Sequence, residues 1–288
     1  MNNGESSMRV QVLASVMDQS MEEIAERMKL DSDAVIINQC DRLGYEEKEW
    51  HGHLIRFYSF PDRGVGRSRN EAILRADGDI CLFSDQDIVY ESGYSGMISE
   101  EFEKNPKADM ILFNVTVEES RRTYHIIKRK RVHWYNCGRY GAVSFAVRRE
   151  SLLRSGVTFS LLFGGGARYS NGEDSLFLKE FMKKGYRVYT APMTIAREES
   201  GDSTWFSGYH EKFFHDRGVL YHYLYGKLDW IMAIRFLAVH RKKLCTEASF
   251  RQCHRWMREG MREKYESFVV MQHDDTYDSG RTKSGALK

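Results

Sequence analysis

Ile80-Cys81-Leu82-Phe83-Ser84-Asp85-Gln86-Asp87 is an apolar run of strand length that ends in two carboxylates. In an extended chain, residues two apart point to the same side, so Asp85 and Asp87 are expected to converge at the carboxyl end of that strand. Ligands of open α/β sheets bind at that edge. Two hard oxygen ligands, with water and diphosphate oxygens completing an octahedron, suit Mg2+ or Mn2+. Asp-x-Asp also occurs in ordinary surface turns, so the motif takes its meaning from its surroundings.

Upstream, residues 66–76 read as a helix stopping at Asp77-Gly78, a left-handed cap. Before it, Arg63-Gly64-Val65-Gly66-Arg67-Ser68-Arg69-Asn70 separates a strand at 54–60 from that helix. Glycines there permit close backbone approach, the helix N-terminus favours anions, and arginines clamp phosphate oxygens. A solvated basic loop is the plain alternative. A dinucleotide fingerprint would need glycine at position 69, and no Gly-Lys-Ser/Thr loop occurs. Residues 10–16 and 34–37 read as two more strands. Between them, Ser20-Met21-Glu22-Glu23 reads as a capping box before a stripe of Met21, Ile24, Ala25 and Met28.

Downstream, 110–115 is a fifth strand, 141–147 a further candidate, and 163–172 a glycine-rich loop. Gly172-Glu173-Asp174 then opens a helix over 173–184, followed by a strand at 187–190. A carboxylate in a helix's first turn is held ionised by the macrodipole, which suits a general base; simple capping is the alternative. The alternation predicts an α/β fold with a mostly parallel sheet. Residues 205–265 look helical and aromatic, and 271–288 lack apolar periodicity.

The chain of 288 residues is 42% hydrophobic and 29% charged, with a net charge of +2. That balance suits a globular protein and argues against a nucleic-acid partner, despite the basic, aromatic stretch from Arg121 to Tyr140. The first eight residues lack an apolar core and no apolar run reaches about 20 residues, so a cytoplasmic protein is expected. Five scattered cysteines without a CxxC pair read as reduced thiols. Residues 230–239 (WIMAIRFLAV) precede His240-Arg241-Lys242-Lys243. That helix either packs on the body of the protein or lies peripherally on the inner face of the plasma membrane.

Taken in order, these motifs resemble family 2 glycosyltransferases of the GT-A fold, especially bacterial members that build surface or capsular polysaccharides. DRGVGRSRNEAILRADGDICLFSDQD (62–87) is similar to that family's stretch from diphosphate loop to metal-binding DxD. FGGGARYSNGEDSLFLKEFMKKGYRVYTAP (163–192) is similar to its acceptor loop and catalytic Glu-Asp helix, and STWFSGYHEKFFHDRG (203–218) also fits. The resemblance implies a Rossmann-like GT-A catalytic domain over 8–204, a helical extension packed on it over 205–266, and a disordered tail over 267–288.

It further implies an inverting enzyme that uses a nucleoside diphosphate-sugar, a UDP-sugar being favoured, with a glycan or lipid-linked acceptor. Asp85 and Asp87 would hold Mn2+ or Mg2+, and Asp174 would be the base. Asp18, Gln19, Asn38, Gln39, Arg63, Arg69, Asn70 and Gln86 would line the donor site. Gly165, Gly166 and Glu173 would belong to the acceptor loop. Many relatives carry an aspartate where Asn38-Gln39-Cys40 stands, and a metal-binding histidine where this chain has Arg197-Glu198-Glu199, leaving Glu198, Glu199 or water for that place. A non-catalytic nucleotide- or carbohydrate-binding module would lack the base. A sugar-phosphate nucleotidyltransferase would need glycines after the first strand, and residues 14–20 (ASVMDQS) contain none.

Overall fold

The computed structural model describes residues 7–117, 124–199 and 208–263. Among them, ten strands form one mixed sheet: β1 (Val10–Met17), β2 (Asp33–Gln39), β3 (Gly44–Trp50), β4 (His53–Phe60), β5 (Ile80–Asp85), β6 (Ile88–Tyr90), β7 (Met110–Thr116), β8 (Lys130–Arg131), β9 (Phe145–Arg148) and β10 (Val188–Glu198). Their order is β3-β4-β2-β1-β5-β9-β7-β10-β6, with β8 on β10. β4, β2, β1 and β5 run parallel, so Phe60, Gln39, Met17 and Asp85 end on one edge. β9 enters antiparallel between β5 and β7.

Strand alternation divides the core into two layers. Val10, Val12, Ala14 and Val16 of β1 face one side, packing with α1 (Met21–Met28) and α3 (Tyr94–Lys104) through Ile24, Ile98 and Phe102. Leu13 faces the other, with α2 (Val65–Arg75) and α5 (Glu173–Lys183) through Ala72, Ile73, Phe177 and Phe181. The short α4 (Arg149–Ser155) follows β9 and adds Leu152 to that layer.

Two local expectations are corrected. Ser20 takes the extended N-cap conformation of α1, yet its side chain makes no capping hydrogen bond. Helix α2 ends at Ala76 in an extended conformation (φ −68°, ψ 135°) rather than a left-handed cap. Gly78 answers a different demand: a Cβ there would stand 2.6 Å from the Gln11 Cβ.

Among the described residues four more α-helices follow: α6 (Glu211–Tyr225), α7 (Asp229–Val239), α8 (Arg241–Leu244) and α9 (Phe250–Arg262). α6 and α9 cross with their backbones nearly touching. A Cβ on Gly218 would come within 2.0 Å of the Met257 carbonyl oxygen, and one on Gly260 within 2.1 Å of that of His215. α6 joins the sheet layer through Val219, Leu220 and Leu224, which pack on Phe163 and Tyr169 of the glycine-rich loop. Buried Asp216 accepts hydrogen bonds from the Ser170 amide and hydroxyl at 3.0 and 2.9 Å, tying the same loop to α6. The boundary expected at 204/205 and the expected tail at 267–288 lie outside the described residues.

Candidate active site

The site grows from the edge where the parallel strands end. β5 stops at Asp85, and Gln86-Asp87 form a turn into β6. The two aspartates therefore flank a bend, which corrects the expectation of a continuous extended chain between them. Asp87 is half-buried, and its carbonyl accepts the Glu199 amide at 2.7 Å. β10 runs on to Glu198, well past the predicted stop at 190, and so brings the Glu198-Glu199 end of the strand to the DxD turn.

Arg69 organises the centre. Its Nη2 donates to both carboxylate oxygens of Asp85 at 3.0 Å, while Nη1 donates to Glu173 Oε1 at 3.1 Å and Asp174 Oδ1 at 2.7 Å. One guanidinium thus ties the end of β5 to the first turn of α5. The guanidinium also lies 5.2 Å from the Phe159 ring centre, and Phe159 stacks on Phe177 at 4.2 Å. Burial opposes the Arg69 charge, but Asp85, Asp174 and Glu173 outweigh it and raise the guanidinium pKa. With the carboxylates ionised, the cluster carries two more negative than positive charges.

Asp174 keeps 24% side-chain exposure, so it is sheltered yet reachable. Burial first, then the neighbouring Glu173 charge, push its carboxyl well above the usual carboxylate range; Arg69 and the Ala142 amide pull the other way. Gly141 lies against it, a Cβ there meeting Asp174 Oδ2 at 3.6 Å. Glycine is required at 164, where φ is +108° and a Cβ would meet Glu173 Cδ at 2.8 Å. The next residue, Gly165, accepts the Val65 amide at 3.2 Å, so the acceptor loop closes onto the start of α2; Gly166 follows with φ +82°.

The residues expected to contact the donor gather at this edge, but most of their amides are committed to the protein. Asn38 Oδ1 accepts the Gln19 amide at 3.1 Å, Gln39 Oε1 the Gly64 amide at 2.7 Å, and Gln86 Oε1 the Met17 amide at 2.9 Å. Asn70 clamps Phe159 through both its carbonyl and amino groups, at 2.7 and 2.9 Å. The Asn70 amide and the two Arg69 Nη atoms are thus bonded within the protein, while the buried Arg69 Nε has no hydrogen-bond partner among the described residues. Asp18 and Arg63 remain half exposed, 3.5 Å apart, with Asp41 at 3.7 Å from Arg63. Asp18 holds a left-handed backbone (φ 50°), a strained turn at the sheet edge.

Sequence reasoning missed the bridging role of Arg69. The signal was its place on the buried face of α2, with Gly66, Ala72 and Ile73: a charge in an apolar stripe needs buried counter-charges. It also missed Phe159 and the 141–142 backbone, which carry no chemical motif.

The family described as Glycosyl transferase family 2 matches residues 10–158, just over half of the chain. The chain belongs to that family. Arg69, Asp85 and Asp87 fall inside the matched span of this family 2 glycosyltransferase, and Asp174 lies beyond it. Among solved structures, Staphylococcus aureus TarS 1–349 in complex with UDP-GlcNAc is similar at TM-score 0.57 and 15% identity, over 83% of this chain and 74% of that one. The mannosyltransferase PcManGT from Pyrobaculum calidifontis, in complex with GDP-Man and Mn2+, is similar at TM-score 0.50 and 16% identity, over 89% and 74%. No curated protein matches the chain. The fold is that of these GT-A-like enzymes, and the chain is a family 2 glycosyltransferase.

Proposed function

We propose that the enzyme is an inverting, divalent-metal-dependent glycosyltransferase. It moves a sugar from a nucleoside diphosphate-sugar, a UDP-sugar being favoured, to a hydroxyl of a glycan or lipid-linked acceptor in surface polysaccharide synthesis. The observation that carries this reading is the single guanidinium joining Asp85 of the DxD turn to Asp174 on α5. It supports a donor diphosphate and an acceptor hydroxyl meeting at one point.

In this reading Asp174 takes the proton of the acceptor hydroxyl. The oxygen attacks the anomeric carbon from the face opposite the diphosphate, the carbon–oxygen bond to the diphosphate breaks, and configuration inverts. Arg69 and the Ala142 amide hold the carboxylate in place. The sheltered position limits water, which would otherwise compete with the acceptor.

The residues fit Mn2+ or Mg2+. The partly exposed Asp85 and the half-buried Asp87 supply hard oxygen donors. Among the described residues no group of three candidate ligands converges, so phosphate oxygens and water would have to complete the shell. Asp87, with Asp85, would hold the ion, which when bound offsets the charge of the leaving diphosphate. Chelation with EDTA should reduce donor binding, and Asp87→Asn should mimic it, slowing transfer on the order of a hundredfold. Undiminished activity after thorough chelation would refute the metal assignment. Release of free nucleoside diphosphate across a panel of UDP-sugars separates this reading from a binding module and from a nucleotidyltransferase.

A place at the inner face of the plasma membrane is supported by α7. It buries Ala233 and Leu237, while Trp230, Ile231, Ile234 and Val239 stay exposed beside Arg241 and Lys242. Among the described residues no helix is long and apolar enough to cross a membrane, so docking would be peripheral. Anionic vesicles should co-sediment the enzyme in a salt-sensitive manner, and Arg241→Glu/Lys242→Glu should abolish this. Equal failure to bind anionic and neutral vesicles would end the idea.

A further inference from the structure

The glycine-rich loop over residues 163–172 is gripped by side chains of the helical extension. Glu263, which follows α9, reaches two consecutive loop residues. Its Oε1 accepts hydrogen bonds from Arg168 Nη2 at 2.6 Å and from the Tyr169 hydroxyl at 3.0 Å. From α6, Lys212 donates to the Arg168 carbonyl at 3.0 Å and to Asp216 at 2.6 Å, while Asp216 holds Ser170. His215 stands between the two carboxylates, Nε2 at 3.3 Å from Glu263 Oε2 and Nδ1 at 3.7 Å from Asp216 Oδ1. Both helices that meet at Gly218 and Gly260 thus hold the stretch from Arg168 to Ser170.

Apolar contact of Phe163 and Tyr169 with Val219, Leu220 and Leu224 brings the loop to α6, but apolar burial has no preferred direction. Charge-assisted hydrogen bonds do, so the clamp fixes which way the loop faces. Glu263 keeps 23% side-chain exposure and borders a pocket of about 450 Å³. Removing its carboxylate therefore opens no cavity in the core.

Tyr169 carries the constraint inward. Its carbonyl accepts the Gly164 amide at 2.9 Å, and its amide donates to the Leu162 carbonyl at 2.9 Å, closing the loop on itself. Gly164 lies against Glu173, and the Gly165 carbonyl meets the start of α2 at the Val65 amide. Glu173 shares Arg69 with Asp174. Every link from Glu263 through Tyr169, Gly164, Glu173 and Arg69 to Asp174 is a contact. A displacement of about 1 Å reaching a catalytic group can cost up to about a hundredfold in rate.

We propose that Glu263 is a positioning residue for transfer: it holds the glycine-rich loop against Glu173 and so keeps Asp174 aligned with the donor. The assignment rests on the reading of Asp174 as the base. Glu263 acts through Arg168 and Tyr169 and touches no reacting atom.

Three measurements on the full chain test this. Amide exchange of residues 163–172 is read by mass spectrometry, UDP affinity with Mn2+ by calorimetry, and hydrolysis of the UDP-sugar that the panel selects by UDP release. Glu263→Ala should speed loop exchange and lower kcat, each about tenfold, with UDP affinity, donor KM and the urea midpoint near wild type. Glu263→Gln, which retains an oxygen for Arg168 and Tyr169, should recover kcat to within about threefold of wild type. Arg168→Met approaches the same contact from the loop, so it should reproduce the kcat loss, and the double variant should lose little more. Asp174→Asn should leave loop exchange as in the wild type, so a wrong base assignment shows in turnover while the loop measurement stands. Unchanged loop exchange in Glu263→Ala would overturn the proposal. So would a raised donor KM at unchanged kcat, or faster UDP release, which would make the loop a barrier to water instead of a brace.

Discussion

Asp174→Asn should bind the nucleotide as the wild type does and transfer sugar two or more orders of magnitude more slowly, the usual loss for a missing general base. The amide is nearly isosteric and can still accept from Arg69, so the cluster survives while the proton acceptor is lost. The pH dependence follows from the raised carboxyl of Asp174. Transfer needs the ionised form, so activity should rise with pH through a value above the roughly 4 of an ordinary aspartate. Stability runs the other way. A folded-state pKa above the unfolded one stabilises the protein fully below the unfolded value, and that contribution is lost as pH rises through the folded one. Wild type should therefore lose stability relative to Asp174→Asn as the pH climbs across the same window. Single-turnover transfer, nucleotide titration and urea unfolding at several pH values check all three. Near wild-type transfer by Asp174→Asn would place the base elsewhere, and weakened nucleotide affinity without slower transfer would move Asp174 into the donor site.

Arg69→Met should cost on the order of 3 kcal/mol of folding stability, because it leaves three carboxylates facing one another without their cation. The estimate sits at the low end for a broken buried pair, since Asp85 keeps 33% and Asp174 24% side-chain exposure. The deficit against wild type should shrink as pH falls, because protonating the carboxylates removes the repulsion. Activity should fall with it, as both the DxD end of β5 and the base lose their common tether. Arg69→Lys, a point charge without the fork, should recover part of the stability and little of the activity. Urea unfolding at two pH values measures the effect, and an Arg69→Met protein as stable as wild type would show that the cluster is not held through this side chain.

The parallel half of the sheet was legible because it is written in local patterns. The apolar runs of β1, β2, β4 and β5 needed no partner to be recognised, and Asp174 stood out by its place at a helix start. Strand β3 was not legible: GYEEKEW exposes six of its seven residues on an edge, so no buried face leaves an alternation to read. Helix α3 opens on Gly93 without a side-chain cap, which removes its start signal although Tyr94, Ile98 and Phe102 form its buried stripe. Asn38, Gln39 and Gln86 read equally well as donor contacts or as braces, since an amide side chain serves either purpose, and only the fold supplies the backbone groups they hold.

The sequence by itself determined the α/β class, the family resemblance, and the order in which phosphate turn, DxD and Glu-Asp helix follow one another. These rest on periods of two and 3.6 residues and on short motifs, all of which a chain carries without folding. The tertiary structure decided the rest. It set Arg69 against Asp174, 105 positions away, bent the DxD into a turn, and brought Glu263 to Arg168 and Tyr169 of the glycine-rich loop. Charges interact through space over a few ångströms, and which charges come that close is fixed by packing of the two core layers and the crossing of α6 with α9.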